Sequence, residues 1–181
     1  MPERERGDLL GECDLIMSFL CYNDISAMSR LHRSASAQMS RPAISIRSDG
    51  GWTFGSPSVL MMFHRTAGAL ESELAEMDEC MPHYYKITGG HGRGAERIMA
   101  AEAAYMQGRF TDAHIALESA YAQIEGNGQV NMALCCDFLA WRLALHTDAA
   151  LRCTPEARRA ELLRQHNASW LQLWNGVSAY C

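Results

Sequence analysis

Residues 103–122 read AAYMQGRFTDAHIALESAYA. Small residues recur on both sides of a central glycine. Gly108 supplies the backbone freedom of a tight turn, and Phe110 places a bulky apolar side chain just past it. Ala113 and Ala120 leave room for two helices to cross closely. The spacing predicts one helix ending at Met106 and a second running from Thr111 to just before Gly126. Thr111 is placed to cap the second helix, with Asp112 in its electropositive first turn. Helices joined by so short a connection pack antiparallel.

The same device recurs toward both ends of the chain. Near the start, Leu9, Cys13, Ile16 and Leu20 form a stripe at helical spacing. Asn23-Asp24 breaks it, and Ile25, Met28, Leu31 and Ala35 begin a second stripe. Residues 42–56 show no sustained period and read as a long connection anchored by Trp52 and Phe54. Ser56 and Pro57 then suit the N-cap and first position of a helix, SVLMMFHRTAG, which Gly68 closes. Leu70, Leu74, Met77 and Met81 share a face of the next helix, which Pro82 kinks or ends. A fourth unit begins at Gln129 and a last helix spans 168–180.

Superposing the turns puts Asn23, Gly68 and Gly108 at equivalent places. Two residues on stand Ile25, Leu70 and Phe110; five on stand Met28, Glu73 and Ala113; twelve on stand Ala35, Cys80 and Ala120. A turn residue between helices, an apolar residue after it and small residues at the crossing make up the tetratricopeptide pattern. The expected fold is therefore all-α, a tetratricopeptide-like superhelix forming a single domain over 8–181. Its hairpins fall at 8–40, 56–87, 94–125 and 129–166, with a terminal helix at 168–180. The units are longer than the usual ~34 residues, and their first helices lack the typical Trp and Gly.

The run TGGHGRG (88–94) invites comparison with a phosphate cradle. A Walker loop needs Gly-Lys-Ser/Thr entering a helix, but Gly92 and Gly94 are followed by Ala95 and Glu96. A dinucleotide loop needs a strand just upstream, where this chain has a helical pattern. The run reads as the linker between two hairpins.

With 181 residues, 20% charged residues and a formal net charge of −5, the chain is long enough for one full core and carries no basic bias toward nucleic acid. The start, MPERERGDLL, has no apolar signal core, and no uninterrupted apolar stretch is long enough to span a bilayer. A cytoplasmic location is expected. The seven cysteines are odd in number and form no Cys-x-x-Cys, so small-hydrophobe packing is the expected role for the set. The seven histidines are scattered, without His-x-x-x-His, and no nucleophile stands beside a placed base. No metal, no cofactor and no catalytic activity are expected.

Four strings go beyond the generic repeat: WTFGSPSVLMMFHR (52–65), ECMPHYYKITGGHGRGAE (79–96), AEAAYMQGRFTDA (101–113) and RQHNASWLQLW (164–174). Together they resemble the repeat region of LuxR-family, MalT-like ATP-dependent transcriptional regulators, over nearly the whole chain. The resemblance implies a sensor domain that binds an effector or partner in a concave groove. It would couple that event to an ATPase and a helix-turn-helix that this chain lacks. DNA contact would then belong to the missing helix-turn-helix and not to this chain. The other reading is a stand-alone adaptor whose groove takes a peptide.

Either reading needs a binding surface, and the first helices of stacked hairpins line the concave face. His64 and Arg65 late on one such helix, Arg97 early on another and Arg142 within a third are candidates for it, or ordinary surface residues. Tyr84, Tyr85, His91 and Arg93 around the glycine run either form a polar, aromatic rim for an inducer or act as staples between hairpins. The sequence places a ligand or partner near the second and third hairpins, on His64, Arg65, His91 and Arg93. An anionic or polyhydroxylated compound would suit those donors.

Overall fold

The computed structural model describes residues 2–48, 50, 58–126, 128–148, 150–165 and 168–178, and all secondary structure among them is helical. The helices are α1 (Glu3–Leu20), α2 (Ile25–Gln38), α3 (Val59–Phe63), α4 (Leu70–Thr88), α5 (Ala95–Met106), α6 (Phe110–Ile124), α7 (Val130–Ala144), α8 (Pro155–Arg164) and α9 (Ala168–Ser178). α1 pairs with α2 and α5 with α6, while α4 lies between α2 and α5. α7 packs on α5 and α6, and α9 bridges α7 and α8.

α2, α4 and α6 begin at Ile25, Leu70 and Phe110, the three residues that follow the superposed turns. Ten residues into the helices, Ala35, Cys80 and Ala120 are all buried. Ala113 is also fully buried, in the turn that follows Gly108. α5 is nearly all core because α3, α4, α6 and α7 all pack on it. Close packing of neighbours on several sides favours the alanines at 95, 101, 103 and 104 on such a helix.

α1 departs from expectation. The stripe Leu9, Cys13, Ile16 and Leu20 faces solvent, and the buried positions are Asp8, Gly11, Glu12, Leu15 and Ser18. The reason is the path of the chain after α2. Asp8 accepts the Ser40 backbone N–H at 2.7 Å. Glu12 accepts the Ile44 N–H at 2.7 Å and the Ser45 hydroxyl at 2.5 Å. These carboxylates satisfy backbone donors that would otherwise lack partners as the chain leaves α2. Gly11 lets the chains approach: a Cβ there would lie 2.2 Å from Met39 Cγ and 3.2 Å from the Ala35 carbonyl oxygen.

Three further readings are corrected. The helix expected over SVLMMFHRTAG ends at Phe63, so the first arm of that unit is little more than one turn. His64 is its extended C-cap, with its ring on the Glu73 carboxylate at the start of α4. Pro82 does not end α4, which continues to Thr88; the proline is exposed, while Met81 and Tyr84 beside it are buried. Thr111 is not the cap of α6: the helix starts one residue earlier and Arg109 occupies the N-cap, its guanidinium 2.5 Å from Asp112. Trp52, Phe54, Ser56 and Pro57 lie outside the described residues; the described N-cap of α3 is Ser58, which accepts the Met61 N–H.

The main core runs from Leu15 through α2 and α4 to Leu143. A second cluster, Leu134, Trp141, Leu162 and Trp174, lies on the other side of α7. α7 thus buries two faces, including the adjacent Cys135 and Cys136. Among the described residues no helix is long and apolar enough to cross a membrane.

Candidate functional site

The glycine run is built into the structure. Gly89, Gly90, Gly92 and Gly94 all have positive φ, and Gly89 ends α4 in the left-handed conformation. Tyr84 is buried and its hydroxyl lies 2.7 Å from His91 Nδ1. The Tyr85 hydroxyl donates to Glu96 and accepts the Gly94 N–H at 2.9 Å. Burial, with the Glu96 charge beside it, holds the Tyr85 hydroxyl protonated far beyond the ordinary phenol range. Gln129, at the start of α7, accepts the Gly92 N–H at 3.0 Å and donates to the Ser48 carbonyl. A run that looked like slack is tied at three places, His91, Gly92 and Gly94.

The six residues singled out in the sequence fall at two ends of α4. His64 and Arg65 sit near its start, with the Arg65 guanidinium 6.0 Å from the Tyr22 ring. Tyr84, Tyr85, His91 and Arg93 sit at its other end. Glu73 and Tyr84 are eleven residues apart on one helix, roughly 16 Å along its axis. The two groups do not converge. Of the second group only Arg93 is exposed, its guanidinium 5.7 Å from the Tyr85 ring. Arg97 pairs with Asp78 at 2.7 Å, and Arg142 lies over the Tyr105 ring at 4.4 Å.

A polar cleft lies elsewhere, between the α6–α7 turn and α8, and a second of similar volume lies beside Asp24, Thr66 and Glu73. The first has a volume of about 370 Å³ and is lined by Tyr121, Gln129, Asp137, Arg152, Arg158 and Glu161 among others. Its floor is fully buried Asp137, which accepts the Tyr121 hydroxyl at 2.8 Å and Arg158 Nε at 2.6 Å. Burial raises the Asp137 pKa against the pull of these donors. Arg158 also reaches Glu161, and Arg152 pairs with Glu118 at 3.1 Å above the Tyr121 ring. The cleft offers both signs of charge plus amides, a lining for a ligand with many hydroxyls or with both charges. Nothing in the sequence marked it, because Tyr121, Asp137 and Arg158 belong to three helices and have no local spacing.

A narrow apolar crevice between α1, α2, α3 and α4 holds about 20 Å³, room for one water. His32 opens onto it. The Ser18 hydroxyl donates to the Leu15 carbonyl, so it receives the His32 Nε2–H at 3.0 Å. Nδ1 is left as a buried acceptor without a partner. Burial lowers the His32 pKa to about 4, so the ring is neutral at pH 7. Glu102 on α5 is the other buried group of note. It accepts the Leu60 N–H at 2.7 Å, holding the start of α3, and burial raises its pKa to about 7.

Among the described residues no cluster of three or more His, Cys, Asp or Glu side chains is arranged to hold a metal ion. Comparison with protein-family models, with curated proteins and with solved structures gives no match.

Proposed function

We propose that this chain is a tetratricopeptide-like binding domain that serves as the effector sensor of a LuxR-family regulator. The observation that carries the repeat reading is the common start of α2, α4 and α6 after superposable turns, with Ala35, Cys80 and Ala120 buried at one offset. The regulator setting rests on the residue strings of the sequence. The effector reading is supported by the α6–α8 cleft, whose volume suits a small molecule.

The coupling runs through Gln129. This buried residue lines the cleft and grips the Gly92 N–H, so a ligand that moves it also moves the junction between α4 and α5. A ligand shifts such an equilibrium only by binding one arrangement more tightly. A polyhydroxylated effector uses the paired carboxylates as acceptors and the guanidinium edges as donors without needing an unpaired charge.

The test is a calorimetric and thermal-shift screen of sugars, polyols and amino acids on the parent chain, on Arg152→Ala and Gln165→Ala, both of whose side chains line the cleft, and on Arg65→Ala and Arg93→Ala. The cleft reading expects a ligand whose affinity falls about tenfold with the first two variants, the loss of one hydrogen bond to a charged or amide group, and is unchanged with the last two. Loss with Arg65→Ala and Arg93→Ala instead moves the site to the residues first singled out. Binding only to extended peptides, with no small-molecule response, favours the adaptor reading.

A further inference from the structure

The outer face of α1 is apolar and uncovered. Leu9 is 52%, Ile16 51% and Leu20 71% exposed, and Leu10, Cys13 and Met17 are exposed beside them. Leu9, Cys13, Ile16 and Leu20 are spaced by four, three and four residues, the seam of a two-stranded coiled coil. The opposite face of the helix is occupied, because Asp8 and Glu12 hold the backbone after α2. α1 therefore cannot rotate to hide the stripe without breaking those bonds. Such a patch exposes on the order of 500 Å², at the upper end for a monomer.

We propose that α1 is a homodimer interface, in which the α1 helices of two copies pack antiparallel about a two-fold axis between Cys13 and Ile16. Two patches together bury roughly 1,000 Å², the threshold of a specific interface. The seam is self-complementary in this register: Leu9 meets Leu20 of the second copy, and Cys13 meets its Ile16. Arg6 comes beside Asn23 and the exposed Asp24 of the second copy, whereas a parallel pair sets Arg6 against Arg6. An isologous contact of this kind closes and does not propagate.

The test uses the full chain. Light scattering after size exclusion at about 50 μM, where a micromolar interface is filled, gives twice the chain mass, falling to one chain mass on dilution. Ile16→Glu gives one chain mass with unchanged helical circular dichroism, because the side chain points into solvent in the single chain. A short bis-maleimide joins the parent into covalent dimers through Cys13, since antiparallel helices at 8–10 Å hold the two thiols close, and Cys13→Ser abolishes that product. A parent chain that stays at one chain mass overturns the proposal, as does a mass above two. So does an Ile16→Glu variant that still pairs. If Ile16→Glu loses helicity, the Cys13 cross-link on the parent decides alone, and its absence overturns the interface.

Discussion

Replacing Glu102 by Gln should make the chain more stable at neutral pH and leave it nearly unchanged in acid. The Glu102 carboxyl is buried on α5 and accepts the Leu60 N–H at 2.7 Å. Burial raises its pKa from the ordinary 4.5 to about 7. A raised folded-state pKa means that the folded chain holds the proton more tightly than the unfolded chain. The associated stability is fully present below about pH 4.5 and is lost as pH rises to about 7. At about 1.4 kcal/mol per pH unit, the loss is about 3 kcal/mol. Gln keeps an oxygen for the Leu60 N–H and has no proton to lose. His32 opposes this trend in the parent. Burial lowers its pKa from 6.5 to about 4, so its contribution is present above pH 6.5 and lost as pH falls toward 4. The two slopes nearly cancel in the parent, but the difference between parent and variant removes His32. Urea titrations followed by circular dichroism at intervals from pH 4 to 8 measure that difference. It should rise from within about 1 kcal/mol at pH 4 to about 3 kcal/mol in favour of Gln at pH 8. The variant alone should then show the falling acid limb of His32. A difference that stays flat across this range refutes the assignment of a displaced carboxyl to Glu102.

Ala120→Trp should abolish cooperative thermal unfolding, since Ala120 is fully buried where α6 meets its neighbours and overpacking costs about 1–3 kcal/mol or more; a parent-like melt would place it away from the crossing. Gly11→Ala should lower stability by about 1 kcal/mol, because the rigid Ala35 carbonyl and Met39 stand in the way of a Cβ and overpacking outweighs the gain in helix propensity. Gly176→Ala in α9, where a Cβ meets nothing within 4 Å, should raise stability by about 0.5–1 kcal/mol. Denaturant midpoints of the two alanine variants moving in the same direction would show that space at Gly11 does not decide the outcome.

Local chemistry marked the turns after which α2, α4 and α6 begin. Gly108 with Phe110, and Asn23-Asp24 with Ile25, are short-range signals: a glycine or an Asx residue frees or caps the backbone, and an apolar residue starts the next helix. The small residues Ala35, Cys80 and Ala120 were legible for the same reason, since their spacing from the turn sets the height at which helices cross. Only the tertiary structure decided which face of a helix meets a neighbour. Periodicity marked Leu9, Cys13, Ile16 and Leu20 as the inward stripe of α1, yet Asp8 and Glu12 turn inward because backbone N–H groups more than thirty residues away need acceptors. The polar cleft was invisible for a related reason: Tyr121, Asp137 and Arg158 become partners only when three helices meet. The glycine run read as a linker by its composition. The structure ties it down with Gln129, 37 residues along the chain from Gly92. Hydrophobic period is a property of neighbours in sequence, whereas the satisfaction of buried polar groups depends on neighbours in space.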